Sequence, residues 1–298
     1  MSDTIEFEPL TGCIGAMVHC AKPLNELSDQ DIATVARGLS EHLVLVVPEQ
    51  NLSPAEQVNF GARFGVLEPR HPLHKIADGQ EHIMVVENGP ERPPDNEDWH
   101  ADMTYRAAPP RVSILQAKVL PPRGGDTLFS NVHAVYEDLS QAMQRFLQGL
   151  TAQHSVATGY RKALVRDPIY EKERLDALEQ MDPANSLVVH PVVGHHPVSG
   201  RPYLNINQSF TSHVVELTNE ESQALLAMLE QRVREPRYQV RHRWSVGDIV
   251  MWDNYGAQHY AAGDYSEYRL MHRVTVKYMA DGTSPAALSG SGPSARTS

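Results

Sequence analysis

Apolar residues fall along this chain mostly in short runs bounded by polar, glycine- and proline-containing stretches. The run Leu43 to Val47, LVLVV, is continuous, as a strand buried on both faces requires. Further strand-like runs stand at Ile83–Glu87, Val112–Leu120, Leu187–Val193, Tyr203–Asn207, Asp248–Trp252 and Arg269–Met279. A helical pattern covers residues 29–41, and others cover Val132–Leu150 and Asn219–Val233. Ser53, Pro54 and Glu56 form a helix start, with a capping serine, a proline suited to the first turn and a glutamate that closes a capping box. That helix is predicted to run to about Phe64. The strands lack a regular βαβ alternation, which predicts a mostly antiparallel β protein with helical insertions, of the jelly-roll type. From Ala280 to Ser298 the chain is small, polar and rich in Pro, Gly and Ser. Such a segment buries too little surface to offset its ordering entropy, so a single domain over 1–279 with a disordered tail over 280–298 is expected.

Composition narrows the function classes. With 298 residues the chain can bury a large core without disulfide or metal staples. Two cysteines, Cys13 and Cys20, cannot make a disulfide framework, and the acidic opening MSDTIEFEPL has no basic-then-apolar signal segment. A cytoplasmic protein is expected. No apolar run approaches the roughly 20 residues of a membrane helix. The formal charge of −11 comes with no basic face for nucleic acid or an anionic membrane, so neither is an expected partner. One or two converging arginines would still suffice for a small anion.

Fifteen histidines draw attention to two places. In Trp99-His100-Ala101-Asp102, an extended chain puts His100 and Asp102 on one face as adjacent ligands for a divalent metal. His259, in Gln258-His259-Tyr260, would complete two histidines and one carboxylate, a set with open coordination positions that suits non-haem Fe(II) oxygen chemistry. A His-x-Asp alone arises often by chance. His133, His154, His195, His196 and His242 show no such partner and read as structural. In RLMHRVTVKYM, Arg269, Met271, Arg273 and Thr275 share one strand face, so both arginine forks can aim at an interior pocket and grip a carboxylate or sulfonate. Equally, the arginines could cover a solvated face or pair with nearby carboxylates. Gly124-Gly125-Asp126-Thr127 allows a tight turn followed by a hydroxyl able to donate to a ligand oxygen.

With these residues stand several ordered blocks: IGA at 14–16, DNEDWHADMTY at 95–105, PPRGGDTLF at 121–129, HPVSG at 196–200, NINQSF at 205–210 and WDNYGAQHYAAGDYSEYRLMHRVTV at 252–276. Together they resemble the taurine dioxygenase/2,4-dichlorophenoxyacetate dioxygenase family of Fe(II)- and 2-oxoglutarate-dependent oxygenases, over nearly the whole chain except the tail. The resemblance implies a double-stranded β-helix core of the cupin type. It implies His100, Asp102 and His259 as iron ligands, Thr127 and Arg269 on the distal carboxylate of 2-oxoglutarate, and O2 as the second co-substrate. It also implies Arg273, His71 and Asn96 around the anionic group of the primary substrate. Departures are His74, where taurine-type members carry Tyr, and Gly159-Tyr160 in place of Ser-Phe, whereas Phe210 keeps an aromatic.

The implied reaction hydroxylates a C–H of a small organic anion and releases succinate and CO2. A taurine-like sulfonate is the first expectation. An aryloxyalkanoate, another carboxylate or an alkyl sulfate ester are the alternatives, and Tyr160 and Phe210 could stack on a ring. Asp102 argues against a halogenase, which needs that carboxylate position vacant. A catalytically silent jelly-roll binding module and a zinc hydrolase on the same triad are the competing classes. The resemblance also implies a homodimer or homotetramer, with the N-terminal strand region and the loop near 71–96, which includes GPERPPDNED, as a lid.

Overall fold

The computed structural model describes residues 5–69, 76–77, 79–91, 97–158 and 187–277. Its largest layer is an eight-stranded sheet. In spatial order it holds β1 (Glu6–Pro9), β2 (Ala16–His19), β3 (Val44–Val47), β14 (Ile249–Asp253), β6 (Val112–Val119), β16 (Arg269–Val276), β5 (Gln80–Asn88) and β4 (Ile76–Ala77). Only β2 and β3 run parallel; the other neighbours are antiparallel. Opposite it, β7 (Thr127–Asn131) pairs with β13 (Gln239–His242) on one side and β15 (Ala257–Ala261) on the other. β8 (Thr151–Ser155) lies between β9 (Leu187–Pro191) and β12 (Thr211–Val214), and β10 (Val193–His195) pairs with β11 (Pro202–Leu204). This is the expected double-stranded β-helix, a jelly-roll core with helices laid against it.

The period of two along each strand divides the core. On the outer face of the large sheet Leu45, Val47, Ile114, Met251, Val274 and Val276 form one cluster. It is closed by Ile32, Val35 and Leu39 of α1 (Asp29–His42) and Phe60 of α2 (Pro54–Ala62). On the inner face Val44, Val46, Leu115, Val250, Trp252 and Met271 meet Phe129 and Val240 of the facing layer. LVLVV is therefore buried throughout because each half of it serves a different cluster. Each such aliphatic side chain contributes roughly 1.5–3 kcal/mol by leaving water.

Both helices begin where the sequence predicts. Ser53 and Glu56 close a capping box with Pro54 in the first turn, and Ser28 and Asp31 do the same for α1. The predicted helix Asn219–Val233 is α5. Boundaries differ elsewhere. The expected helix over Val132–Leu150 is two, α3 (Val132–Glu137) and α4 (Gln141–Leu147). Ser140 ends the continuity by accepting the Met143 N–H as a fresh cap, while Leu139 and Leu147 still reach the same apolar cluster. The run 187–193 breaks at Val192, whose N–H turns aside to the Leu150 carbonyl. The strand expected over Tyr203–Asn207 ends at Leu204, because Asn205 donates to Val192 and Asn207 to the Thr211 hydroxyl. α2 ends at Ala62 rather than near Phe64, and β16 at Val276, where Lys277 donates to Val66. The tail at 280–298 lies outside the described residues. No helix among the described residues is long and apolar enough to cross a membrane.

Candidate metal centre and its surroundings

His259 lies on β15, paired in register with Phe129 of β7. His100 is held on its far side by a single antiparallel bridge, its N–H donating to the His259 carbonyl at 3.0 Å and its carbonyl accepting the His259 N–H at 2.8 Å. The extended chain expected through Asp102 does not form. Past the bridge the backbone turns, and Met103 takes a left-handed φ of 52°. What places Asp102 is an amide clamp from Asn254, in the turn after β14. Its Oδ1 accepts the Asp102 N–H at 2.7 Å, and its Nδ2 donates to the Asp102 and Pro110 carbonyls at 3.0 and 2.9 Å.

The three side chains converge. One ligand atom from each of His100, Asp102 and His259 lies within 4.8 Å of the others, and all three residues are buried. Both Nε2 atoms are 3.8 Å from Asp102 Oδ1, too long for hydrogen bonds but suited to sharing one cation. His100 Nδ1 sits 2.8 Å from the Asp98 carbonyl, which can only accept, so Nδ1 carries the proton and Nε2 turns a lone pair toward Asp102. Burial lowers the pKa of both imidazoles, most strongly for His259, so they are neutral near pH 7. Burial alone would raise the Asp102 pKa, but Arg273, His259 and His100 beside it hold the carboxyl below the usual range. Two neutral imidazoles and one carboxylate in a dry site fit a divalent metal. Among the described residues this is the only such cluster.

The two arginines of β16 project from its inner face, as the strand pattern predicts, yet their surroundings differ. The Arg269 guanidinium is buried beside the Tyr265 ring, 5.9 Å from its centroid, and its Nε has no hydrogen-bond partner among the described residues. No described carboxylate pairs with it. Arg273 instead donates to Asp102 Oδ2 and, at 2.8 Å, to Ser113 Oγ, with its guanidinium carbon 5.3 Å from the Trp252 ring. Pairing with a nearby carboxylate thus describes Arg273 but not Arg269. Near Arg269, Gly124 and Gly125 adopt φ of 75° and 74°, and a Cβ on Gly125 would come within 3.2 Å of Arg269 Nε. Thr127 Oγ1 accepts from Trp244 Nε1 at 3.0 Å, which leaves its own proton to donate.

Phe210 stands edge-on to His100 at 6.2 Å and to Tyr105 at 5.0 Å, so an aromatic wall adjoins the triad. His71, His74, Asn96 and Tyr160 lie outside the described residues. The middle of the segment expected to form a lid loop is instead β4 and β5, paired at the edge of the large sheet. Sequence reasoning missed Asn254 and Ser113. Asn254 stood inside the block carrying His259, and Ser113 is a small polar residue in the apolar run of β6; neither signal names a partner. It also left His196 and His242 without carboxylates. The fold pairs His196 with buried Asp253 at 3.0 Å and His242 with Asp248 at 3.3 Å.

Comparison with known proteins agrees with this geometry. The family described as "Taurine catabolism dioxygenase TauD, TfdA family" matches residues 6–275. An alkylsulfatase of Acinetobacter baylyi is 32% identical over 275 residues, covering 91% of this chain and 84% of that one. An alpha-ketoglutarate-dependent sulfate ester dioxygenase of Pseudomonas putida is 30% identical over 276 residues, covering 91% and 89%. Among solved structures, a taurine dioxygenase from Burkholderia xenovorans superposes with a TM-score of 0.76 at 28% identity, covering 95% of this chain and 99% of that one.

Proposed function

This chain belongs to the TauD, TfdA family of 2-oxoglutarate-dependent dioxygenases, and from that premise we propose that it hydroxylates a C–H bond of a small organic anion carrying a sulfonate or sulfate group. The observation that carries the reading is the pairing of a buried His-Asp-His cluster with a buried arginine, Arg269, whose Nε has no described hydrogen-bond partner. A buried guanidinium calls for an anion close by, and Asp126, the described carboxylate that acts on Arg269, does so without forming an ion pair.

His100, Asp102 and His259 would hold Fe(II), which when bound supplies the redox chemistry that couples decarboxylation of 2-oxoglutarate to dioxygen-dependent hydroxylation. Arg269 and the Thr127 hydroxyl grip the distal carboxylate of 2-oxoglutarate, and the positive-φ turn at Gly124 and Gly125 keeps the approach to Arg269 open. Arg273, tied to Asp102 through one nitrogen, keeps further donors for the substrate anion. Phe210, Tyr105 and Trp252 surround the centre with apolar surface and keep water from the reacting carbon. The sulfonate expected from the sequence and the sulfate esters named for two relatives share this anion chemistry. Hydroxylation at the carbon bearing the group yields a product that collapses to an aldehyde, releasing sulfite from a sulfonate and sulfate from an ester.

The experiment loads Fe(II) and 2-oxoglutarate without oxygen, admits air, and measures succinate against alkyl sulfates, sulfonates and aryloxy acids. Succinate stimulated by a sulfate or sulfonate supports the reading, and the inorganic product separates the two. Stimulation by aryloxy acids alone moves the substrate class; no succinate with any compound favours a silent binding module.

A further inference from the structure

Asp102 has two carboxylate oxygens, and the fold treats them differently. Oδ1 faces both imidazoles, 3.8 Å from each Nε2. Oδ2 faces the other way, accepting from the Ser113 hydroxyl at 3.0 Å and from an Arg273 NH2 group. Ser113 itself is fully buried on the inner face of β6, in register with Trp252 on one neighbouring strand and Thr275 on the other. Its hydroxyl oxygen accepts from Arg273 at 2.8 Å, so its single proton is left for Asp102. Two ladders fix the serine backbone, and the accepted bond fixes the direction of its O–H.

We propose that Ser113 is a positioning residue that holds Asp102 as a one-oxygen metal ligand, anchoring Oδ2 to the protein and leaving Oδ1 alone for the cation. The inference rests on the metal reading of the triad. The backbone clamp from Asn254 sets where the Asp102 main chain lies, and Ser113 with Arg273 sets the rotation of its carboxylate. Without the hydroxyl, Arg273 remains the only described partner of Oδ2, and the carboxylate can rotate so that both oxygens, or neither, face the imidazoles. A partner of this kind behind a metal-binding carboxylate typically changes metal affinity by about 10- to 100-fold when removed.

The test measures Mn(II) affinity of the full chain from the EPR signal of unbound ion, with apo-protein melting recorded separately. Ser113→Ala removes the hydroxyl and Ser113→Cys keeps the shape with a much weaker donor; Ser113→Thr keeps the hydroxyl. The inference expects the Ala and Cys variants to bind Mn(II) at least about tenfold more weakly than the parent, while Thr restores binding to within about threefold. A role in folding alone would lower the apo melting temperature and leave Mn(II) affinity unchanged. Folded Ala or Cys variants that bind like the parent overturn the inference, as does a folded Thr variant as weak as Ala. Failure of the parent itself to bind Mn(II) overturns the metal reading instead.

Discussion

His154 is an imidazole that the fold keeps neutral. It is fully buried, its Nδ1 2.9 Å from the Thr104 hydroxyl, and Thr104 also accepts from Asn207 at 2.8 Å. Burial, with His190 beside it, pushes its pKa down to about 3. In the unfolded chain it titrates near ~6.5, so the unfolded state takes the proton first. Stability from this group is therefore complete above roughly pH 6.5 and falls as pH drops toward about 3, by at most about 1.4 kcal/mol per pH unit. Urea unfolding at pH 7.5 and 5.5 should show a smaller loss in His154→Gln than in the parent; equal losses would remove His154 as a source. Arg269→Ala, by contrast, should raise the KM for 2-oxoglutarate by about ten- to a hundredfold, from a charge-assisted contact of ~1.5–3 kcal/mol, and leave Mn(II) affinity unchanged. An unchanged KM would free Arg269 from that role. Arg269 and Arg273 were legible as a pair from strand alternation, because the pleat dictates which residues share a face. That one meets Asp102 and the other no described carboxylate depends on what the neighbouring strands and turns bring near.

At the scale of elements, turns and caps carry the site. Gly125 precedes β7 with φ of 74°, and its N–H donates to Asp264 Oδ1 at 2.8 Å. Gly125→Ala would strain that backbone and press a methyl toward Arg269. It should raise the 2-oxoglutarate KM several-fold with little change in Mn(II) affinity, read by steady-state kinetics and metal titration; no change in KM would show that the turn does not shape that subsite. At the end of β14, Asp253 Oδ1 accepts the N–H of Tyr255 at 3.0 Å, while Oδ2 takes His196. That pairing shapes the turn from which Asn254 reaches Asp102. The capping box of α2 was readable because it is local, a side chain meeting a backbone three residues away. The break at Ser140 was not, since the apolar spacing across it continues on both sides. β7 and β15 were missed as well: at five residues each, mixing polar and apolar positions, they gain their pairing from strands distant in sequence.

Over the whole molecule, the His100, Asp102 and His259 cluster is where distant segments meet, so a cation bound there would stabilise the folded state by mass action. Mn(II) at a hundredfold its dissociation constant should add about 2.7 kcal/mol to unfolding in urea, and His100→Ala should abolish the gain. A gain that survives that substitution would place the ion elsewhere. The sequence by itself determined the β-rich class, the family, the starts of the capped helices and the residues of the cluster His100, Asp102 and His259. These are written in local periodicity, local hydrogen bonding and ordered motifs. Only the tertiary structure decided how the triad is held. The bridge from His100 to His259, the Asn254 clamp on Asp102 and the hold of Ser113 and Arg273 on one of its oxygens join residues 11 to 171 positions apart. Spacing along a chain records which face a side chain takes; which group waits opposite is set by the register and stacking of the two sheets.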